Sequence, residues 1–219
     1  DTIIMCAAKV GGIYANDNYS GDFIRENLLI QLNTIELARV HKIKKLVFLG
    51  SSCIYPRDAK QPILEDYLLS GKLEKTNESY SIAKIAGIKM IQAYRKQYGC
   101  DFISLMPTNL YGENDNFHSY NSHVVPALIK KIYNAKKNKQ NSLMLWGTGS
   151  PKRDLLYVGD LAEAIIMLTE NYSDYEPINV GSNTEITISQ LSKKISKMLN
   201  YQGKILFNSK FPNGTIRKF

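Results

Sequence analysis

The sequence contains no apolar run close to the roughly 20 residues that a membrane-spanning helix needs. Its first residues are not the basic and then apolar stretch of a secretory signal peptide. Only three cysteines occur, Cys6, Cys53 and Cys100, at wide and irregular spacing, which fits neither a disulfide framework nor a zinc site. We therefore expect a cytoplasmic protein with reduced thiols, no metal site and no membrane partner.

A glycine-rich G-x-G-x-x-G turn is also missing. In dinucleotide-binding folds such a turn follows the first strand and holds the cofactor pyrophosphate at a helix N-terminus. Any cofactor binding by this chain would therefore depend on other residues.

The composition is that of a globular protein with a basic surface. The 219 residues are 44% hydrophobic and carry 28 Lys and Arg against 20 Asp and Glu, a net charge of +8. Such a balance suits polyanionic partners, either nucleic acid or phosphorylated small molecules. The densest basic run, residues 130–139, is interpreted as a solvated helix face, with a phosphate-attracting rim as the alternative. No nucleic-acid-binding signature is present, so we expect no nucleic acid partner.

Strands and helices alternate along the chain. Short apolar runs predict strands, and helical spacing of apolar residues predicts the segments between them. The predicted strands are residues 2–8, 45–50, 102–106, 143–146, 178–180 and 205–207, and the predicted helices are 23–41, 81–98, 124–134, 161–168 and 188–199. This order predicts an α/β fold, a Rossmann-like doubly wound parallel sheet with a smaller C-terminal substrate-binding lobe. We divide the chain into residues 1–150 and 151–219, with an approximate boundary and interleaved segments.

Three segments place reactive side chains at the carboxyl ends of predicted strands or on the helix beside them. They contain Ser51, the pair Tyr80 and Lys84, and residues 107–112. Ligands of open α/β sheets bind at this edge. Tyr80 and Lys84 are four residues apart and share a helix face, so the ammonium is expected to lower the pKa of the phenol. Tyr80 would then give a proton to a carbonyl oxygen that Ser51 also binds, the arrangement of a carbonyl reductase.

The Y-x-x-x-K spacing alone is weak evidence. A second copy, Tyr133 and Lys137, occurs within the basic run. No serine-bearing strand end precedes that copy, so it is interpreted as structural.

Longer segments resemble a known superfamily. A strand ending in Ser-Ser, then Y-x-x-x-K, then P-x-N-x-Y-G, resembles the extended short-chain dehydrogenases/reductases, and residues 146–160 resemble its sugar-nucleotide members. Five segments narrow the resemblance to the GDP-L-fucose synthase family: residues 7–13, 49–56, 80–87, 106–112 and 121–124. The S-S-C-I-Y-P and N-S-H segments are the specific ones, since relatives that only epimerise or dehydrate usually lack this Cys and His pair.

The resemblance implies a reaction and a set of residues. The substrate would be GDP-4-keto-6-deoxy-D-mannose, epimerised at C3 and C5 and then reduced at C4 with NADPH. The implied catalytic residues are Ser51, Cys53, Tyr80, Lys84 and His123. The implied NADP(H)-binding residues are Leu49, Gly50, Ser51, Ser52, Tyr80, Lys84, Pro107, Thr108, Asn109, Leu110 and His123. The implied substrate-binding residues are Lys131, Trp146, Arg153 and Lys204. A homodimer formed through the helices at 23–41 and 81–98 is implied as well.

The implied chemistry is physically reasonable. The C4 ketone acidifies the protons on C3 and C5, and a thiol and an imidazole both exchange protons near neutral pH. Cys53 and His123 would act there, with their acid and base roles left open, while Ser51 and Tyr80 stabilise the enolate oxygen.

Two other interpretations are weighed against this one. The first is another NAD(P)-dependent sugar-nucleotide epimerase or dehydratase, and the second is an inactive fragment of the same fold. Because the family begins with a glycine-rich segment and ends with a tail, we expect the chain to be a fragment whose first strand corresponds to an interior strand of the family sheet. Such a segment would bind NADPH weakly by itself.

Overall fold

The computed structural model describes residues 1–119, 121–211, 213 and 215–219. Strands and helices alternate along most of this length. The strands are β1 Thr2–Met5, β2 Lys45–Leu49, β3 Phe102–Pro107, β4 Asn109–Tyr111, β5 Ser142–Trp146, β6 Lys152–Tyr157, β7 Ile178–Val180, β8 Glu185–Thr187, β9 Lys204–Asn208 and β10 Arg217–Lys218. The helices are α1 Ile13–Asn18, α2 Ser20–Val40, α3 Glu78–Tyr98, α4 Val124–Lys137, α5 Val158–Asn171 and α6 Ile188–Met198.

The main sheet is parallel, with the strand order β1-β2-β3-β7. Helix α2 connects β1 to β2, and α3 connects β2 to β3, as parallel pairing requires. Side chains alternate across β2: Leu46 and Phe48 join a core cluster with residues of α2 and α3, whereas Val47 joins a cluster with residues of α5. Both faces of the sheet are therefore covered, which confirms the predicted doubly wound fold.

A second core lies outside the main sheet. Helices α4 and α6 pack around the parallel β5–β9 pair, with Leu128, Ile132, Leu145 and Ile195 among the buried residues. Beside it, β6 pairs with β4, with β10 and, in antiparallel orientation, with β8. Strand β7 belongs to the main sheet although it follows β5 and β6 in sequence. The domain boundary near residue 150 stays a prediction.

The predicted elements occur, with differences at their ends. Strand β1 ends at Met5 rather than near residue 8, and the Lys9 N–H beyond it donates to the Asn27 side chain at 3.0 Å. Strand β3 includes Pro107, whose successor Thr108 donates its N–H to Val180 at 3.0 Å. The pattern missed β4, β8 and β10, which are short, and β6, whose first half is polar.

None of the helices in the described part of the chain is long and apolar enough to cross a membrane. The three cysteines are all free thiols.

Candidate active site

The loop after β2 places Cys53 at the carboxyl edge of the main sheet. Ser51 precedes a short turn, Ser52–Ile54, and its Oγ accepts a hydrogen bond from the Cys53 N–H at 3.2 Å. The Ser81 hydroxyl, in the first turns of α3, donates to the Cys53 carbonyl at 2.9 Å. The loop is therefore fixed to α3 by the residue that directly follows Tyr80.

Tyr80 and Lys84 lie beside this loop, as the sequence predicts. A hydrogen bond joins the Tyr80 and Ser51 side chains. The Lys84 ammonium is almost fully buried and donates to the Leu49 carbonyl at 2.8 Å. Its Nζ lies 5.9 Å from the centre of the Tyr80 ring and 4.8 Å from that of Phe48.

The expected effect of Lys84 on Tyr80 is not what the structure has. Burial raises the pKa of the Tyr80 phenol, the nearby Cys53 raises it further, and the hydrogen bond with Ser51 only partly opposes this. Burial also lowers the pKa of Lys84 to about 8, although Cys6 opposes the shift. The expected depression of the Tyr80 pKa fails because removal from water outweighs an ammonium that is bonded to a backbone carbonyl.

Cys53 lies among cationic side chains. The Lys218 Nζ is 3.0 Å from the Cys53 Sγ. Burial by itself raises the pKa of the Cys53 thiol, but the charge and hydrogen bond of Lys218, a hydrogen bond with Ser51 and the charge of Arg153 bring the net shift below the ordinary value. The arrangement favours the thiolate, which is the form of cysteine that accepts a proton.

Lys218 is a site residue that the sequence analysis missed. It lies on β10, where it pairs with Arg153 of β6. The preceding residue, Arg217, holds Glu185 with two short hydrogen bonds of 2.6 and 2.7 Å, and so ties β10 to β8. The pairing brings a cation to Cys53 from 165 positions away in sequence. The only sequence signal was a basic pair in a region that resembles the family.

His123 directly precedes α4 and has extended backbone angles. Its surface is open to solvent, yet crowding by protein atoms lowers the pKa of its imidazole. The carboxylate of Asp115 opposes this shift, and the charge of Lys218 reinforces it. Lys218 thus acts on both Cys53 and His123, so these two side chains lie in one charged environment.

The other expected cofactor-binding residues follow the ends of β2 and β3. Gly50 donates its N–H to Leu105 at 2.8 Å, and a Cβ there would lie 2.5 Å from the Met106 Sδ. Ser52 lines a surface pocket together with Cys53 and Lys218. Pro107 is buried within β3 and Leu110 is half-buried in β4.

Two polar residues of this edge are already engaged within the protein. The Thr108 hydroxyl and the Asn109 amide both donate to the Asp154 carbonyl at 3.2 Å. These contacts join the end of β3 to β6. Any contact of Thr108 or Asn109 with a ligand therefore competes with this link or uses their backbone atoms.

Trp146 belongs to a second group of side chains, formed by two stacked aromatic rings and a lysine. Its ring stacks on Phe211 at 4.9 Å between centroids and 5° between planes, and the Lys131 Nζ lies 4.9 Å from the Trp146 ring. Trp146 is 43% exposed and Phe211 is 41% exposed. Burial lowers the pKa of Lys131. The structure thus brings Lys131 and Trp146 together and adds Phe211, which the sequence analysis missed.

Lys204 lies apart from the other expected substrate-binding residues. It begins β9 and pairs with Ser142, whereas Trp146 pairs with Asn208 at the far end of the same two strands. The two ends are four residue steps apart along the strand, about 13 Å at ~3.3 Å per residue. A substrate contact by Lys204 stays a prediction.

Comparison with known proteins identifies the family of the chain. The model of the family "NAD dependent epimerase/dehydratase family" matches residues 1–181. The putative GDP-L-fucose synthase 2 of Arabidopsis thaliana is 55% identical over 216 residues, which are 99% of this chain and 66% of that protein. The GDP-L-fucose synthase of Escherichia coli K12 is 47% identical over 227 residues, 100% of this chain and 71% of that protein. The chain thus spans about two thirds of the length of these curated relatives.

Solved structures give the same result. A GDP-L-fucose synthetase from Naegleria fowleri bound to NADP superposes with a TM-score of 0.90 at 28% identity, and covers 99% of this chain and 67% of that one. A GDP-6-OMe-4-keto-L-xylo-heptose reductase from Campylobacter jejuni superposes with a TM-score of 0.91 at 31% identity, over 100% of this chain and 74% of that one.

Proposed function

Because the chain belongs to the NAD dependent epimerase/dehydratase family and, within it, to the GDP-L-fucose synthases, we propose that its protein converts GDP-4-keto-6-deoxy-D-mannose to GDP-L-fucose. The proposed reaction inverts C3 and C5 of the sugar and then reduces the C4 ketone with NADPH. One observation supports it most directly. Cys53, whose thiol has a lowered pKa, shares its hydrogen-bond network with the Ser51–Tyr80 pair of a carbonyl reductase.

In the epimerisation, Cys53 removes a proton from the carbon beside the ketone. Lys218 and Arg153 favour its thiolate, and the thiolate is the basic form. His123 returns a proton when it is in its imidazolium form; its lowered pKa makes that proton easier to transfer but favours the neutral ring, so the proton is taken up from solvent beforehand. Before the second carbon can react, the sugar ring must turn between the two groups, Cys53 must release its proton to solvent, and His123 must take one up from solvent.

Ser51 and Tyr80 serve both halves of the reaction. The enolate formed by proton removal carries its charge on the C4 oxygen, and two hydroxyl donors stabilise that charge. In the reduction, Tyr80 donates its proton to the same oxygen. Its raised pKa keeps the phenol protonated until that moment. Tyr80 therefore already carries the proton that it donates.

The residues present suit a nicotinamide cofactor. NADPH, when bound, supplies the hydride for C4. Lys84 donates one of its three N–H groups to Leu49, and within the described residues no other hydrogen bond engages its ammonium. An almost fully buried ammonium with two remaining donors fits the paired hydroxyls of a ribose. Lys84 would hold the ribose, and the ends of β2 and β3 would face the ring.

The GDP part would lie along the Trp146 side of the site. Trp146 offers a flat, half-exposed ring for a base, and Lys131 lies beside it. Arg153 and Lys218, adjacent on paired strands, provide charge and forked donors for the pyrophosphate.

Absorbance at the NADPH band during incubation with GDP-4-keto-6-deoxy-D-mannose tests the proposal. We expect oxidation of NADPH and GDP-L-fucose as the product. Oxidation that yields only a C4-reduced sugar with unchanged C3 and C5 would mean that the protein is a simple reductase. No oxidation, in material shown to bind NADPH, would contradict the proposal.

A homodimer is part of the proposal. The outer face of α2 exposes Leu29 and Leu32, each 51% exposed, in a helix that packs against α3 on its other side. Leu32→Glu is expected to convert a dimer to monomers in sedimentation velocity, while Met198→Glu, at an 81% exposed position on α6, leaves the dimer unchanged. A wild-type protein that sediments as a monomer would contradict the proposed homodimer.

The proposed location is the cytoplasm. The three cysteines are free thiols, as is usual in a reducing compartment.

A further inference from the structure

The loop after β1 touches the turn that carries His123. The Gly12 N–H donates to the Asn121 carbonyl at 3.0 Å. A Cβ built on Gly12 would lie 2.5 Å from the Ser122 carbonyl oxygen, closer than any real Cβ contact. The two segments are therefore in backbone-to-backbone contact, two residues before His123.

Space, rather than backbone conformation, is what requires glycine here. Gly12 has φ −70° and ψ −176°, angles that any residue adopts. A Cβ added at this position would still have to displace Ser122 or move the loop. The neighbouring Gly11 is confined differently, since its Cβ would meet Ala15 at 2.9 Å and Phe23 at 3.2 Å.

Side-chain hydrogen bonds hold the loop on both sides. The buried Asn16 amide donates to the Gly11 carbonyl at 2.7 Å and to the Gly12 carbonyl at 3.1 Å. On the other side, the buried Asn27 both accepts from and donates to the backbone of Lys9. The turn of His123 thus rests on a loop that is tied at both ends.

We infer that Gly12 is a positioning residue for His123: its missing side chain allows the loop after β1 to support the turn that aims the imidazole at the sugar. The inference rests on the proposed function, because it assumes that His123 exchanges a proton with the substrate. It assigns Gly12 no contact with the reacting atoms. Its effect should therefore fall on the step that uses His123.

The test is Gly12→Ala, compared with Gly21→Ala, at which an added Cβ meets nothing within 4 Å. Epimerisation is followed without NADPH, as incorporation of deuterium from D2O into C3 and C5 of the keto sugar. Reduction is followed in reverse, as oxidation of GDP-L-fucose by NADP⁺. We expect Gly12→Ala to slow deuterium incorporation by about 10- to 100-fold, as small misplacements of catalytic groups do. The reverse reaction should change by less than about threefold, and Gly21→Ala should change neither.

A second readout does not depend on activity. Because crowding lowers the pKa of His123, a displaced turn should let the imidazole titrate closer to its ordinary value. NMR of the ring protons, assigned with His123→Gln, should show this change in Gly12→Ala, while His41 stays unchanged. A wild-type protein inactive on the keto sugar would contradict the proposed function. The NMR comparison would still test whether Gly12 positions His123.

A second variant tests the same inference if the first one does not fold. If Gly12→Ala does not fold, Asn16→Ala removes the two hydrogen bonds to the loop without adding an atom to it. It should slow deuterium incorporation and shift the His123 titration in the same direction, by less. Gly11→Ala should instead disturb the packing of the loop against Phe23. Unchanged exchange and titration in whichever of Gly12→Ala and Asn16→Ala folds would overturn the inference.

Discussion

The Lys218 Nζ lies 3.0 Å from the Cys53 Sγ. A cation at this distance outweighs, together with Ser51 and Arg153, the effect of burial on Cys53 and lowers the pKa of its thiol below the ordinary value. The pair links the end of the described chain to the loop after β2, and this link sets the basicity of the proposed proton acceptor.

Removal of the cation should therefore make Cys53 less reactive. In Lys218→Met, the charge and hydrogen bond that lower the pKa of the Cys53 thiol are lost. The effect of burial then raises that pKa. Alkylation of Cys53 by iodoacetamide near neutral pH should become several-fold slower, and its pH profile should move to higher pH. Mass spectrometry of the labelled peptide measures this. Lys204→Met, which removes an exposed lysine from β9, serves as the matched control; equal slowing in both variants would refute a specific role for Lys218.

The two halves of the reaction should separate by mutation. Cys53→Ser removes the thiolate and should lower deuterium incorporation at C3 and C5 by about 10²- to 10⁴-fold, the usual worth of a general acid or base. Tyr80→Phe should lower the oxidation of GDP-L-fucose by NADP⁺ by a similar factor. Cys53→Ser should retain most of the oxidation activity, whereas Tyr80→Phe should also slow deuterium incorporation, because it removes one of the two hydroxyls that stabilise the enolate. Loss of both activities in Cys53→Ser, with unchanged thermal stability, would argue against separate roles.

Lys84 should impose an upper pH limit on cofactor binding. Its pKa lies at about 8 because of burial, so the ammonium that donates to the ribose is present below that pH and is lost as the pH rises through it. The Kd for NADPH, followed by fluorescence titration, should increase above pH 8. Lys84→Arg keeps a charge at all these pH values and should show a flat profile. A wild-type profile that is flat up to pH 10 would contradict this assignment.

The single tryptophan offers a direct probe of GDP binding. Trp146 is the only tryptophan of the chain and is stacked on Phe211. Binding of a base against either ring should quench its fluorescence. Phe211→Leu should weaken GDP about 3- to 10-fold, the range expected for loss of one aromatic stacking contact. Leu206→Ala on the exposed edge of β9 is the control. Quenching with unaltered affinity in Phe211→Leu would limit the base contact to Trp146.

The sequence by itself determined the fold class and half of the site. Apolar strands alternating with amphipathic helices specify a parallel sheet covered on both faces, because each strand must bury two apolar surfaces. Ser51, Tyr80 and Lys84 could be placed for the same reason, since local spacing sets which side chains emerge at a strand end or share a helix face. These relations span a few residues and are visible in the chain.

Tertiary structure alone decided the rest. Lys218 reaches Cys53 through the pairing of β10 with β6, and no local pattern encodes a two-residue strand. The raised pKa of Tyr80 follows from burial, which depends on every element packed around it. The contact of Gly12 with the His123 turn joins segments more than a hundred residues apart. Distance and removal from water arise only when the chain has folded, and the acid–base properties of the site depend on both.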